Sequence, residues 1–122
     1  MAKKILIVDD SKAMRLIVRR SLRQAGFEDL EVREAGNGKE ALEALSQGLP
    51  DLVLSDWNMP EMSGIELLEQ ITAQEIQVKL GFITTEGTPE MRQTASAAGA
   101  LFLVAKPFTP EALRAALDPW LG

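Results

Sequence analysis

No histidine occurs anywhere in the 122 residues. That one absence removes imidazole general bases, imidazole metal ligands and Ser-His-Asp triads together. Cysteine is missing too, so there is no disulfide framework and no thiolate chemistry, as suits a reducing compartment. No stretch approaches the roughly 18 consecutive apolar residues of a membrane span. Met1-Ala2-Lys3-Lys4 is followed by only four apolar residues before Asp9, far short of a signal peptide's apolar region. Positive charge is in deficit: a net charge of −5 argues against general nucleic-acid binding, which leans on Lys and Arg neutralising phosphates. A soluble cytoplasmic domain is expected, without nucleic-acid or membrane partners. Its chemistry must run on carboxylate, lysine, hydroxyl and metal.

What is present reads as globular. The chain is 46% apolar and 25% charged, of a length for one domain spanning residues 1–122. Lys4 to Asp9 is a continuous apolar strand ending in two acids, Asp9 and Asp10. Met14, Ile17, Val18, Leu22 and Ala25 then recur at helical period, with Gly26 as the stop. Arg15, Arg19, Arg20 and Arg23 fall on the other side of that helix, as a solvated basic face or a docking surface for an acidic partner. Leu30 to Ala35 alternates apolar and charged residues, like an edge strand with one wet face. Asn37 and Glu40 look like a helix cap, leading into a helix over Ala41–Ser46 closed by Gly48. Gly38-Lys39 is a poor phosphate loop, since Arg33 and Glu40 occupy the positions where that motif needs a Gly and a Ser or Thr.

Leu52 to Leu54 is a buried strand leading into Asp56, followed by a turn marked by Asn58 and Pro60. Ser63-Gly64-Ile65-Glu66 matches a capping box and opens a helix through about Thr72. Val78 to Thr84 is a fourth strand. Thr88-Pro89-Glu90 starts a helix that stops at Gly99. Leu101 to Ala105 is a fifth strand, and Thr109-Pro110-Glu111 repeats the helix-start signal. Pro119 should end that helix near Leu117 or Asp118. Trp120, just beyond, is either buried or held out to a partner.

Strand then helix, five times over, means a parallel sheet covered on both faces. All strand C-termini then lie at one edge, which collects Asp9, Asp10, Asp56, Thr84 and Lys106. Carboxylates crowded there either raise some of their pKa values or recruit a hard cation. Oxygen ligands alone select Mg²⁺ or a similar ion. Taken singly, Asp9-Asp10 fits a helix cap with a first-turn acid, Lys106 a surface lysine, and Thr84 a β-branched strand end. Together, such residues at four strand ends are hard to attribute to chance.

The chain resembles a receiver domain of the two-component response regulators, closest to the stand-alone chemotaxis regulators. The matching residues are Ile7-Val8-Asp9-Asp10-Ser11; Asp51 through Pro60 with Gly64; Thr84; and Gly99-Ala100 with Lys106-Pro107-Phe108. The resemblance implies a flavodoxin-like doubly wound α/β fold of five parallel strands, order 2-1-3-4-5, with five helices. It implies that Asp56 is the phosphorylated nucleophile. Mg²⁺ is held by Asp10, Asp56 and the Asn58 main-chain carbonyl, with Asp9 acting through water. Lys106 and Thr84 contact the phosphoryl group, and the Lys106–Pro107 peptide is cis. With no histidine of its own, the chain needs a histidine kinase, a histidine phosphotransfer protein or a small phosphodonor. The implied output is a protein target on the helix 4–strand 5–helix 5 face, reached from a monomer before phosphorylation. The implied role is a phosphoacceptor with self-dephosphorylation, not a turnover enzyme.

Two features depart from or tune that pattern. In the family an aromatic residue three positions before the lysine often moves into the space left when the threonine is drawn toward the phosphoryl group; this chain has Leu103 there, with Phe102 beside it. The two positions that tune hydrolysis are Asn58 and Glu86, whose polarity predicts a short-lived phosphate. Rival readings share parts of the pattern. A flavodoxin needs a Ser/Thr-rich phosphate loop after strand one, and Asp9-Asp10-Ser11-Lys12 would repel a flavin phosphate. A haloacid-dehalogenase-type phosphatase wants a second Asp where Asn58 stands. A non-phosphorylated receiver-like scaffold would have lost Asp56, Lys106 or the acidic pair, and all are present. A receiver excised from a larger transcriptional regulator is also compatible with this sequence.

Overall fold

Continuous apolar runs leave a strand no wet face, so helices must cover the sheet on both sides. The computed structural model, which describes residues 3–121, is built this way. Met1 and Ala2, which head the leader comparison, lie outside the described residues. Strands β1 (Lys3–Val8), β2 (Leu30–Ala35), β3 (Leu52–Ser55), β4 (Leu80–Thr84) and β5 (Leu103–Ala105) alternate with helices α1 (Lys12–Gln24), α2 (Gly38–Ser46), α3 (Gly64–Ala73), α4 (Pro89–Ala98) and α5 (Pro110–Leu121). Every strand pairing is parallel, and the order is β2-β1-β3-β4-β5. The expected fold class is the observed one.

Alternate residues of each strand serve opposite cores. Ile5 and Ile7 of β1 join Leu54 and Ile83 beneath α1 and α5, against Val18, Leu22, Leu113 and Leu117. Leu6 and Val8 join Val53 and Phe82 on the other face, against Ala41, Leu45, Leu67 and Ile71 of α2 and α3. Burying each such side chain stabilises the fold by about 1.5–3 kcal/mol.

The helix starts follow local chemistry. Ser63 and Glu66 form the full capping box of α3. Thr88 caps α4 ahead of Pro89. Asn37 caps α2, which begins at Gly38, three residues earlier than expected. Glu40 reaches back past the cap to the Gly36 amide, 3.1 Å away. At α1 the cap is Ser11, whose hydroxyl accepts from the Met14 amide. Neither Asp9 nor Asp10 is needed as a cap.

β5 begins at Leu103, two residues later than expected, and other boundaries differ too. β4 begins at Leu80 because the Val78 amide is used in a tight turn to the Ile76 carbonyl, 3.2 Å away. More informative is α5, which runs through Pro119 to Leu121 instead of ending near Leu117. Leu113, Leu117 and Leu121 follow one another at four-residue steps and are all buried. Their packing holds the helical path, while the exposed Pro119 forfeits one backbone bond near the terminus. Trp120 is half-buried, with the Lys79 ammonium 5.7 Å from its ring centroid.

Candidate functional site

Parallel strands deliver their C-termini to one edge. Asp9 follows β1, Asp56 follows β3, Thr84 ends β4 and Lys106 follows β5. One carboxylate oxygen from each of Asp9, Asp10 and Asp56 lies within 4.8 Å of the others. Asp9 is buried, Asp56 half-buried and Asp10 exposed. Lys106 reaches two of these acids, its Nζ 3.3 Å from Asp9 Oδ2 and 3.5 Å from Asp56 Oδ1. Backbone amides hold the two inner carboxylates. Ser11 donates to Asp9 Oδ1 at 2.9 Å, and Trp57 to Asp56 Oδ1 at 2.8 Å. Burial pushes the Asp56 carboxyl above the ordinary carboxylate range, and the Asp9 charge adds to this. Lys106 and the Trp57 amide pull in the other direction without cancelling it.

Three carboxylates thus face one ammonium. Like charges about 4 Å apart at an effective dielectric near 20 repel by roughly 4 kcal/mol. An all-oxygen donor set of that charge, with no nitrogen or sulfur ligand, suits a hard divalent cation.

Around this centre, Gly64 provides the space in which β3 turns. A Cβ there would run into the Asp56 carbonyl and the Phe82 ring, while the Gly64 amide donates to the Trp57 carbonyl at 2.7 Å. The Trp57 ring packs on Phe82 at a centroid distance of 4.9 Å. Asn58 lies exposed in the same turn. Thr84 is fully buried; its carbonyl accepts from the Lys106 amide at 2.7 Å and its hydroxyl from the Glu86 amide at 3.3 Å. Glu86 itself is exposed. The Lys106–Pro107 peptide is cis.

Leu103 is buried and pairs in register with Phe82, on the same sheet face as Thr84. Phe102 points to the opposite face, where its ring occupies the space that a side chain at Gly81 would need. It therefore cannot fill the room beside Thr84.

Three residues have roles at this edge that the sequence did not reveal. Ser11 serves as both a helix cap and a donor to Asp9. Arg15 donates to the Asp9 carbonyl at 2.6 Å while its Nε holds Glu34 at 2.8 Å. Arg92 reaches from α4 to β5. The Ser11 signal was local, a cap three residues before Met14. The two arginines act across elements and leave no local signal.

A sheet of this order, with acids and a lysine gathered at its C-terminal edge, defines a flavodoxin-like domain whose crevice suits a cation and an anionic group. Comparison with known proteins narrows the class. The model of the response regulator receiver domain matches residues 5–118. The chain is 42% identical over 122 residues to chemotaxis protein CheY1 of Helicobacter pylori, covering 98% of this chain and 97% of that protein. It is 44% identical over 117 residues to chemotaxis protein CheY-3 of Vibrio cholerae, covering 94% and 88%. Among solved structures, Vibrio cholerae chemotaxis protein CheY4 superposes with a TM-score of 0.86 at 36% identity, covering 99% of this chain and 100% of that one. The chain belongs to the response regulator receiver domain family and is CheY-like. No helix among the described residues is long and apolar enough to cross a membrane.

Proposed function

We propose that this chain is a single receiver domain that takes a phosphoryl group on Asp56 and acts as a cytoplasmic chemotaxis-type switch. The observation that carries the reading is the arrangement around Asp56. A carboxylate with a raised pKa sits between two further acids and an ammonium 3.5 Å away. The Asp56 oxygen attacks phosphorus, the bond from phosphorus to the donor's leaving atom breaks (imidazole nitrogen in a phosphohistidine, carboxylate oxygen in an acyl phosphate), and an aspartyl phosphate forms. The donor is a histidine kinase, a histidine phosphotransfer protein or a small acyl phosphate. Lys106 exchanges its contact with Asp56 for one with a phosphoryl oxygen. The Thr84 hydroxyl turns from the Glu86 amide to another such oxygen.

Asp10, Asp56 and the Asn58 carbonyl would hold Mg²⁺, with Asp9 acting through water; when bound, the ion offsets the charge gathered by carboxylates and phosphoryl oxygens. Water attack on phosphorus later returns the Asp56 carboxylate and releases inorganic phosphate. The polar Asn58 and Glu86 flank this step and keep the phosphate short-lived. Output passes through the α4–β5–α5 face to a downstream protein.

Trp57, adjacent to Asp56, is the reporter. With Mg²⁺, acetyl phosphate or beryllofluoride should change its emission, and intact mass should rise by one phosphoryl group in wild type but not in Asp56→Asn. An unchanged emission together with an unchanged mass would overturn the assignment.

A further inference from the structure

Leu103 offers no aromatic ring to follow Thr84, and Phe102 is on the wrong face. A chain of polar contacts runs in that place. The Thr84 hydroxyl accepts from the Glu86 amide at 3.3 Å. The next residue is Gly87, whose carbonyl accepts from Arg92 Nε at 3.3 Å. Arg92 Nη1 then donates to the Leu103 carbonyl at 3.0 Å. β5 is an outer strand, and the Phe102 carbonyl just before it already accepts from Phe82 of β4. Backbone groups of successive strand residues point in opposite directions, so the Leu103 carbonyl faces away from the sheet. Arg92 supplies the partner that no strand provides.

The contacts have little slack. A Cβ on Gly87 would lie 3.1 Å from Arg92 Nη2 and 3.2 Å from the Ala105 Cβ. A planar guanidinium holds two acceptors in fixed relation, which a lysine ammonium does not.

We propose that Arg92 is the positioning residue that couples Thr84 to β5, in the role an aromatic side chain would otherwise play. When the Thr84 hydroxyl turns to a phosphoryl oxygen, the Glu86 amide loses its acceptor and the Glu86-Gly87 segment shifts. The guanidinium carries that shift to the Leu103 carbonyl, and so to the groove of about 380 Å³ bordered by Arg92, Leu103, Phe108 and Ala112. The inference rests on Asp56 being the phosphoacceptor.

The test separates input from coupling. Full-length wild type, Arg92→Lys and Arg92→Met are titrated with beryllofluoride in saturating Mg²⁺. Trp57 emission reports site occupancy, and the Leu103 and Val104 amide shifts report β5. Wild type should move both. Arg92→Met should keep the Trp57 response, with half-saturation within about threefold of wild type, and lose at least roughly half of the ligand-induced change at β5. Arg92→Lys should fall between. Arg92 is exposed, so both variants should fold; the amide spectra report whether they do, and Arg92→Gln replaces any that does not. A full β5 response in Arg92→Met overturns the coupling and leaves the Asp56 assignment standing. Loss of the Trp57 response in Arg92→Met also overturns it, because the arginine would then act on the site itself. A wild type with no Trp57 response removes the phosphoacceptor reading, and this inference with it.

Discussion

The ammonium of Lys106 lies 3.5 Å from Asp56 Oδ1, and the same nitrogen is 3.3 Å from Asp9 Oδ2. One cation therefore serves two carboxylates. Burial raises the pKa of Asp56, so its charged form is held at a cost to the fold. Removing that charge should help the metal-free protein. Asp56→Asn is expected to unfold later than wild type, by about 1 kcal/mol. Mg²⁺ at ten times its Kd should stabilise wild type by about 1.4 kcal/mol and the variant by much less. Thermal melts with and without Mg²⁺ check both.

Lys106→Met leaves Asp9 buried without its cation. Metal-free stability should fall by roughly 2–4 kcal/mol. Mg²⁺ should bind more tightly, since one competing positive charge is gone. Phosphoryl uptake should nevertheless drop sharply, because no ammonium meets the incoming oxygen. Denaturant melts, Trp57 titrations and intact mass separate the three effects.

Gly81 of β4 and Phe102, just before β5, form a matched pair, with the ring lying where a Gly81 side chain would be. Gly81→Ala should destabilise by about 2 kcal/mol through overpacking. Phe102→Ala should cost a similar amount by leaving a void. The double variant should lose at least about 1 kcal/mol less than the sum, which a double-mutant cycle in urea would measure.

Acid stability should depend on Glu34. Burial raises its pKa, but hydrogen bonds and charge from Arg15 and Arg19 outweigh that and hold it below the ordinary 4.5. A depressed folded-state pKa contributes stability above the unfolded value, and that contribution is lost as pH falls through the folded value. Between pH 4.5 and the lower folded value, wild type should lose stability more steeply than Glu34→Gln. Unfolding free energies across that range test the slope.

Pro119 accounts for a fifth outcome. Because α5 continues past it, Pro119→Ala restores a backbone donor and should stabilise the protein by roughly 1 kcal/mol. A helix that ended at Leu117 would show no gain.

That residue also marks where local reading stops. Caps at Ser63 and Thr88 are written within four residues and start their helices where the pattern placed them, while the Asn37 cap starts its helix three residues early. The apolar runs through Ile5 and Leu54 determine a sheet buried on both faces, and the acids follow the strands to its edge. Pro119 misleads because the burial of Leu121 is a property of the core, not of its neighbours in the chain. The contacts of Arg15 with Glu34 and of Arg92 with Leu103 are invisible for the same reason, as the acceptors lie in strands distant in the chain. The side on which Phe102 falls depends on register, which Gly81 reveals only once β4 and β5 are paired.

Arginines recur at the two outer strands. Arg92 takes the Leu103 carbonyl on β5, and Arg19 takes the Val32 carbonyl on β2 at 3.2 Å. A bare strand edge is a template on which a second molecule can add its own strand. Here a bulky cation occupies a bonding position on each side, and like charges on a second molecule would oppose its approach. The same guanidiniums should keep the protein monodisperse when crowded, resisting edge-to-edge polymerisation.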